Sequence, residues 1–378
     1  MKKTSIGGQA LMEGIMMRGP EVTAMAVRNT KGEIVIEKFP TQTKERAKFF
    51  KLPIVRGLFN YIDSMSMGTK CLMRSAEISG LEEAEEELRR EKEAKKAAKA
   101  AKKAEKKGTL STETAEATES ANVEAVEPSS NEAESEYDTE ASAKEKNEEA
   151  KKDSSLFMGL MMTVSMILGL VLGIGLFFVL PTLIYGGVAL IFPAIKHPDP
   201  AINSLIQSVF EGVLKLILIV GYMALMILMK DIRRTFQFHG AEHKTIFCYE
   251  MGLELTVENI RKQKRFHPRC GTSFLILMIL VSIFISFFIN PLYHVIFGVE
   301  PVLWARILIK LIMIPLIVGI GYELIKIAGR YDNLFTKIIS APGVWLQHIT
   351  VLEPDDSMIE CAIVAMKEVI PENNSDNW

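Results

Sequence analysis

Hydrophobic positions along this chain are segregated into long blocks. Four predominantly apolar stretches, residues 157–180, 204–229, 273–289 and 302–327, are each long enough to cross a bilayer as a helix. After Pro181, residues 182–195 are apolar but short, which predicts a re-entrant or interfacial segment. Ahead of these blocks, residues 22–28 and 33–39 are extended runs flanking Asn-Thr-Lys-Gly and predict a β-hairpin. Residues 7–20, GGQALMEGIMMRGP, predict a structural turn carrying Glu13 and Arg18. Apolar residues at three- and four-residue spacing over 52–77 predict an amphipathic helix on the core or on a membrane surface. In the tail, Ala341-Pro342-Gly343 reads as a turn, and 360–370 as a short helix behind an Asp/Ser cap region.

The polar blocks complete this layout. Residues 81–107 are rich in Glu, Lys, Arg and Ala with no repeating apolar stripe, predicting a solvated helix, and 108–152 read as disordered. The expected parts are a 1–80 segment with hairpin and helix, an 81–155 linker and spans within 156–229. A loop at 230–272, spans within 273–329 and a tail at 330–378 follow. The fold class is therefore an α-helical multi-pass membrane protein of about four spans. A small mixed α+β cytosolic domain would be formed by the N-terminal, loop and C-terminal segments.

Charge sets the orientation. The net charge of −2 hides a split, since residues 81–152 carry 14 Lys/Arg against 21 Asp/Glu and leave the remainder at +5. Nine Lys/Arg lie in 230–271, none in 290–301 and only Lys196 in 181–203, which predicts a cytosolic 230–271 loop with both termini in the same compartment. Residues 1–8, MKKTSIGG, do not begin a secretory signal, so a cytoplasmic (inner) membrane location is expected. Glu211 and Lys310 fall at matching depth in their spans, predicting an interhelical ion pair, with a permeation path as the alternative use.

The strongest chemical signal lies in 238–250, FHGAEHKTIFCYE, together with 267–273, HPRCGTS. His239 and His243 stand four apart, so on a helix their imidazoles share a face. Glu242 completes H-x-x-E-H, the inverted order of a pattern in which two histidines hold zinc and a glutamate acts on water. His267 and Cys270 add two further metal donors. If all four bind, a tetrahedral zinc is closed and structural; if one is not a ligand, a position opens and Glu242 becomes the general base. Glu250 is a carboxylate ligand or a partner orienting a histidine, and Glu13 or Arg18 could reach the site from the N-terminal segment. The run Glu353-Pro354-Asp355-Asp356 offers carboxylates but reads more simply as a helix cap, while Cys71, Cys248 and Cys361 read as packing residues. No Lys-Ser/Thr follows the glycines of 7–20 to make a phosphate-binding loop.

These motifs, GGQALMEGIMMRGP, HGAEHK, HPRCGTSF and the EPDD turn, together resemble the YqhQ-like family of bacterial membrane proteins, a domain of unknown function described as a predicted metal-dependent enzyme. The resemblance spans nearly the whole chain outside about 81–152 and implies metal binding at His239 and His243. The chain departs from the family pattern in its long insert and in Thr350-Val351-Leu352 before Glu353. The expected function is a metal-dependent hydrolase at the cytosolic membrane surface, holding a divalent ion such as zinc. Its expected partners are the bilayer and a membrane-associated lipid or peptide substrate, with no nucleic acid. The alternatives are a non-enzymatic assembly factor or scaffold with a structural zinc, and a transporter.

Overall fold

A computed structural model describes residues 3–41, 47–80, 164–299, 301–373 and 375–377. The helix and disordered linker expected over 81–152 lie outside the described residues. The chain divides into two compact units, Met1–Ala84 with Leu176–Trp378, and Glu85–Gly175. In the smaller unit the described residues are helical from Val164 onward.

The larger unit opens with a four-stranded antiparallel sheet in sequential order, β1 (Gly7–Leu11), β2 (Gly14–Arg18), β3 (Val22–Arg28) and β4 (Ile34–Pro40). The β3–β4 hairpin is the expected one. Residues 7–20, expected as a turn, form a second hairpin. Its Met12-Glu13 link places Glu13 at φ 51°, without the Asn-Gly or Asp-Gly signature that usually marks such turns. β2 and β3 are buried on both faces, so GIMMR is a continuous apolar run that shows no alternation to read.

Helices explain the double burial. On one face, Ile15, Met17, Ala24 and Ala26 pack with Met358, Ile359 and Met366 of the C-terminal helix and with Phe238 and Ala241. On the other, Met16, Met25 and Val27 pack on Cys71 of α1 (Val55–Ser79), the expected amphipathic helix. Cys248 and Cys361 lie in the first of these cores.

Among the described residues, three helices are long and apolar enough to cross a membrane: α2 (Val164–Ile191), α3 (Pro200–Met226) and, after α4 (Lys230–Glu250) and the short α5 (Val257–Arg261), α6 (Gly271–Phe297). α2 corrects one expectation. It runs from Val164 to Ile191, with a π-turn at Gly175–Val179 just ahead of Pro181, so the helix does not break at the proline. Proline is tolerated there because it occupies the first turn of the segment that follows the π-turn. The fourth expected span is a pair of helices, α7 (Leu303–Ile312) and α8 (Ile314–Arg330), bent by 43° about Met313. Lys310 of α7 donates to Glu211 of α3, which also accepts from Gln207 Nε2 at 2.7 Å, so the expected ion pair is present.

The tail holds α9 (Leu334–Thr350) and α10 (Asp356–Lys367). The Ala-Pro-Gly turn is absent, because Pro342 and Gly343 lie inside α9. A Cβ on Gly343 would sit 2.4 Å from the Ser273 Cα of α6, so the small residue serves a close helix crossing. Asp355 caps α10, accepting from the Met358 amide at 3.0 Å, as read from the sequence. Residues from opposite ends of the numbering meet: Thr4 forms a bridge with Asn377, and the Ser5 amide donates to the Asp376 carbonyl at 2.6 Å.

Candidate metal centre

α4 presents the two histidines as their spacing requires, with ring centroids 4.5 Å apart. The opposite side of the helix is anchored in the core through Phe238, Ala241 and Cys248. Gly240 sets how closely the tail passes. The Leu352 carbonyl lies 1.9 Å from where a Cβ would stand, and the Leu352 amide donates to the Phe236 carbonyl at 2.9 Å. This close passage delivers the Thr350 carbonyl to His239 Nδ1 at 3.0 Å. His243 Nδ1 donates to the Arg265 carbonyl at 2.5 Å. Both imidazoles therefore carry their proton on Nδ1 and keep the Nε2 lone pair for the site.

Cys270 arrives from the other direction as the N-cap of α6, accepting from the Thr272 amide at 3.4 Å. Its Sγ lies 3.0 Å from His239 Nε2, and one donor atom each from His239, His243 and Cys270 fall within 4.8 Å of one another. Burial works to raise the Cys270 thiol pKa, but His243 and Thr272 outweigh it and hold it below the usual thiol range. Burial lowers the pKa of His243, keeping that ring neutral, against the opposing pull of Cys270. A single thiol proton can serve only one of the two imidazole lone pairs, whereas a divalent cation serves all three donors. Two imidazoles and a thiolate are a donor set that suits zinc.

Glu242 lies against the same cavity. Burial pushes its carboxyl up to about 7, opposed by His239 and by a hydrogen bond from the Gly8 amide of β1. A Cβ on Gly8 would stand 2.8 Å from Glu242 Cγ, so the first strand and the carboxyl meet closely at this point. The cavity, about 420 Å³, is walled by residues 4–10 on one side and by α4 and Cys270–Thr272 on the others.

His267 lines the cavity but stands outside the three-donor group. Its Nδ1 accepts from the Arg269 amide at 3.3 Å, and its Nε2 faces Glu250 at 3.8 Å. A guanidinium nitrogen of Arg269 stands nearer the same Nε2, at 3.3 Å; Glu250 itself pairs with Arg269 and accepts from the Thr4 amide at 2.9 Å. Glu13 pairs with Arg234 at 2.5 Å, and Arg18 donates to Ser64 at 3.0 Å; neither lines the cavity. Glu353 pairs with Lys244, and Asp356 with Arg261.

Sequence reasoning missed Gln347, Gly8 and the carbonyls of Thr350 and Arg265. Gln347, fully buried on α9, accepts from the His267 amide at 2.8 Å and donates to the His267 carbonyl at 2.7 Å. Only the glycine pair of the first motif hinted at a close approach; the other contacts join positions 22 to 111 residues apart and leave no local trace.

Residues 52–372 match the family described as "Protein of unknown function (DUF1385)". The chain is similar to the "Uncharacterized protein YqhQ" of Bacillus subtilis (strain 168), with 28% identity over 366 residues, 96% of this chain and 92% of the relative. No solved structure matches it.

Proposed function

The chain belongs to the DUF1385 family of proteins of unknown function, and on that premise we propose that it is a metal-dependent hydrolase anchored in a bacterial inner membrane. His239, His243 and Cys270 hold a divalent ion such as zinc, and Glu242 is the general base. One observation carries this reading. Three donors converge with both Nδ1 atoms already spent on carbonyls, and a buried carboxyl shares their cavity. Zinc, when bound, supplies Lewis-acid polarisation of the bond to be split. His239 and His243 keep their tautomers through the carbonyls of Thr350 and Arg265. Glu242, packed against Gly8 of β1, takes a proton from the attacking water and returns it to the leaving group. The engagement of His267 with Glu250 and Arg269 supports an open three-donor site over a closed structural one.

The test uses the full-length chain purified in detergent. Elemental analysis is expected to find about one zinc per chain, lost in His243→Ala and Cys270→Ser and kept in Glu242→Gln. The wild-type protein should release water-soluble fragments from labelled membrane polypeptides or bacterial polar-lipid vesicles, and Glu242→Gln should not. A metal-free wild type, or a Glu242→Gln protein as active as wild type, overturns the reading.

A further inference from the structure

β1 is an edge strand; among the described residues it pairs with β2 alone. The ladder shows where its remaining main-chain groups point. The Arg28 amide donates to the Glu13 carbonyl at 2.8 Å, so Glu13 and, by alternation, Ile15 and Met17 face β3. Gly14, Met16 and Arg18 therefore face β1, where they meet Leu11, Gln9 and Gly7. Gly8 and Ala10 are left with their amides and carbonyls turned off the sheet. Glu242 stands close by, its Cγ 2.8 Å from where a Gly8 Cβ would be.

The two edges of the sheet are treated differently. β4 carries Glu37, Lys38 and Pro40, the charges and proline that block strand addition, and both charges are paired, with Arg74 and Glu368. β1 reads GGQAL, with no charge and no proline, and it forms a wall of the cavity that contains His239, Glu242, His243 and Cys270. Nothing stands within 4 Å of where a Gly7 Cβ would be, so the sheet face is open there. An edge that faces a reactive centre and carries neither charge nor proline offers a docking rail to another strand.

We propose that the substrate is an extended polypeptide that adds to β1 as a fifth strand, with its scissile peptide at the level of Gly8. This rests on the hydrolase reading above. The Gly8 carbonyl and the Ala10 amide and carbonyl bond the incoming backbone. The Glu242 side chain crowds Gly8, its Cγ 2.8 Å from where a Gly8 Cβ would stand, so at that rung the substrate meets the carboxyl. There the oxygen of water bonds to the peptide carbonyl carbon and the C–N bond breaks. The proton that Glu242 removes from the water reaches the departing amine. A lipid headgroup offers no row of alternating donors and acceptors to match this edge.

The experiment begins with zinc-loaded, full-length protein digesting casein, an unfolded polypeptide, and maps the cleaved bonds by mass spectrometry. Hexapeptides bracketing one mapped bond are then N-methylated one amide at a time and bound to zinc-loaded Glu242→Gln protein. Methylation at alternate amides is expected to weaken binding tenfold or more, with the intervening positions unaffected. Peptide should also slow hydrogen exchange of the Ala10 amide. Ala10→Pro, which removes an outward donor without touching the β2 ladder, should lose peptide binding and keep its zinc. A uniform response to methylation, or unchanged exchange at Ala10, overturns strand addition and leaves the hydrolase reading standing. Intact casein beside released lipid headgroups overturns the polypeptide substrate. Absence of zinc, or wild-type cleavage by Glu242→Gln, instead brings down the underlying hydrolase reading.

Discussion

Gly240→Ala tests how the tail holds the proposed metal centre. The added Cβ would stand 1.9 Å from the Leu352 carbonyl oxygen and 3.1 Å from its carbon, so the tail segment must retreat by more than about 1 Å to reach van der Waals contact. Overpacking of this kind costs about 1–3 kcal/mol. The Leu352–Phe236 hydrogen bond, 2.9 Å long, adds about 1 kcal/mol if it breaks. Alanine's better helix propensity returns about 1 kcal/mol. The net expectation is destabilisation of about 1–3 kcal/mol. The sharper consequence is chemical, because the same retreat draws the Thr350 carbonyl away from His239 Nδ1, and losing such an orienting partner lowers metal affinity about 10- to 100-fold. Thermal unfolding and zinc competition with a chromophoric chelator measure the two effects on detergent-purified protein. Gly271→Ala is the control: it lies beside Cys270, and nothing stands within 4 Å of its would-be Cβ. Wild-type stability and zinc affinity in Gly240→Ala would refute the proposed coupling between tail and centre.

Gly8→Ala should keep its zinc but lose at least about tenfold in hydrolysis, since its Cβ displaces the Glu242 carboxyl; unchanged turnover would remove Gly8 from the positioning role. Gln347→Leu strips the buried His267 amide and carbonyl of their partner, at about 1–3 kcal/mol for each group left unpaired, and an unshifted melting curve would refute the clamp. Glu211→Gln alone leaves Lys310 buried without its carboxylate and should cost about 3–5 kcal/mol, whereas Glu211→Gln with Lys310→Met should be close to neutral. A folded double variant that has lost its cellular role would instead assign the pair to transport.

What was legible in the sequence was local. The i, i+4 histidines, the apolar lengths of the helices and the Asp355 cap are each set by residues within a turn or two of one another. The Glu211–Lys310 pair could be anticipated because charge in an apolar helix demands a partner at equal depth. The β1–β2 hairpin was hidden because β2, buried on both faces, carries no alternation, and because its turn uses Met-Glu. Ala-Pro-Gly misled for a related reason: the same small residues that make turns also admit a neighbouring helix, and Ser273, the neighbour that decides between the two, is 70 positions away. The placement of His267 was open for want of its surroundings, since Glu250, Arg269 and Gln347 reach it from three different segments.

The clasp between Thr4-Ser5 and Asp376-Asn377 bears on biosynthesis. Residues 4–10 form one wall of the cavity, yet the residues that fasten them are translated only after every other element of the described fold. A nascent chain therefore carries His239, His243 and Cys270 without a finished enclosure until nearly all of the described sequence has emerged. Ribosomal stalling anywhere before residue 376 would yield a chain whose metal-competent side chains are present but not yet enclosed.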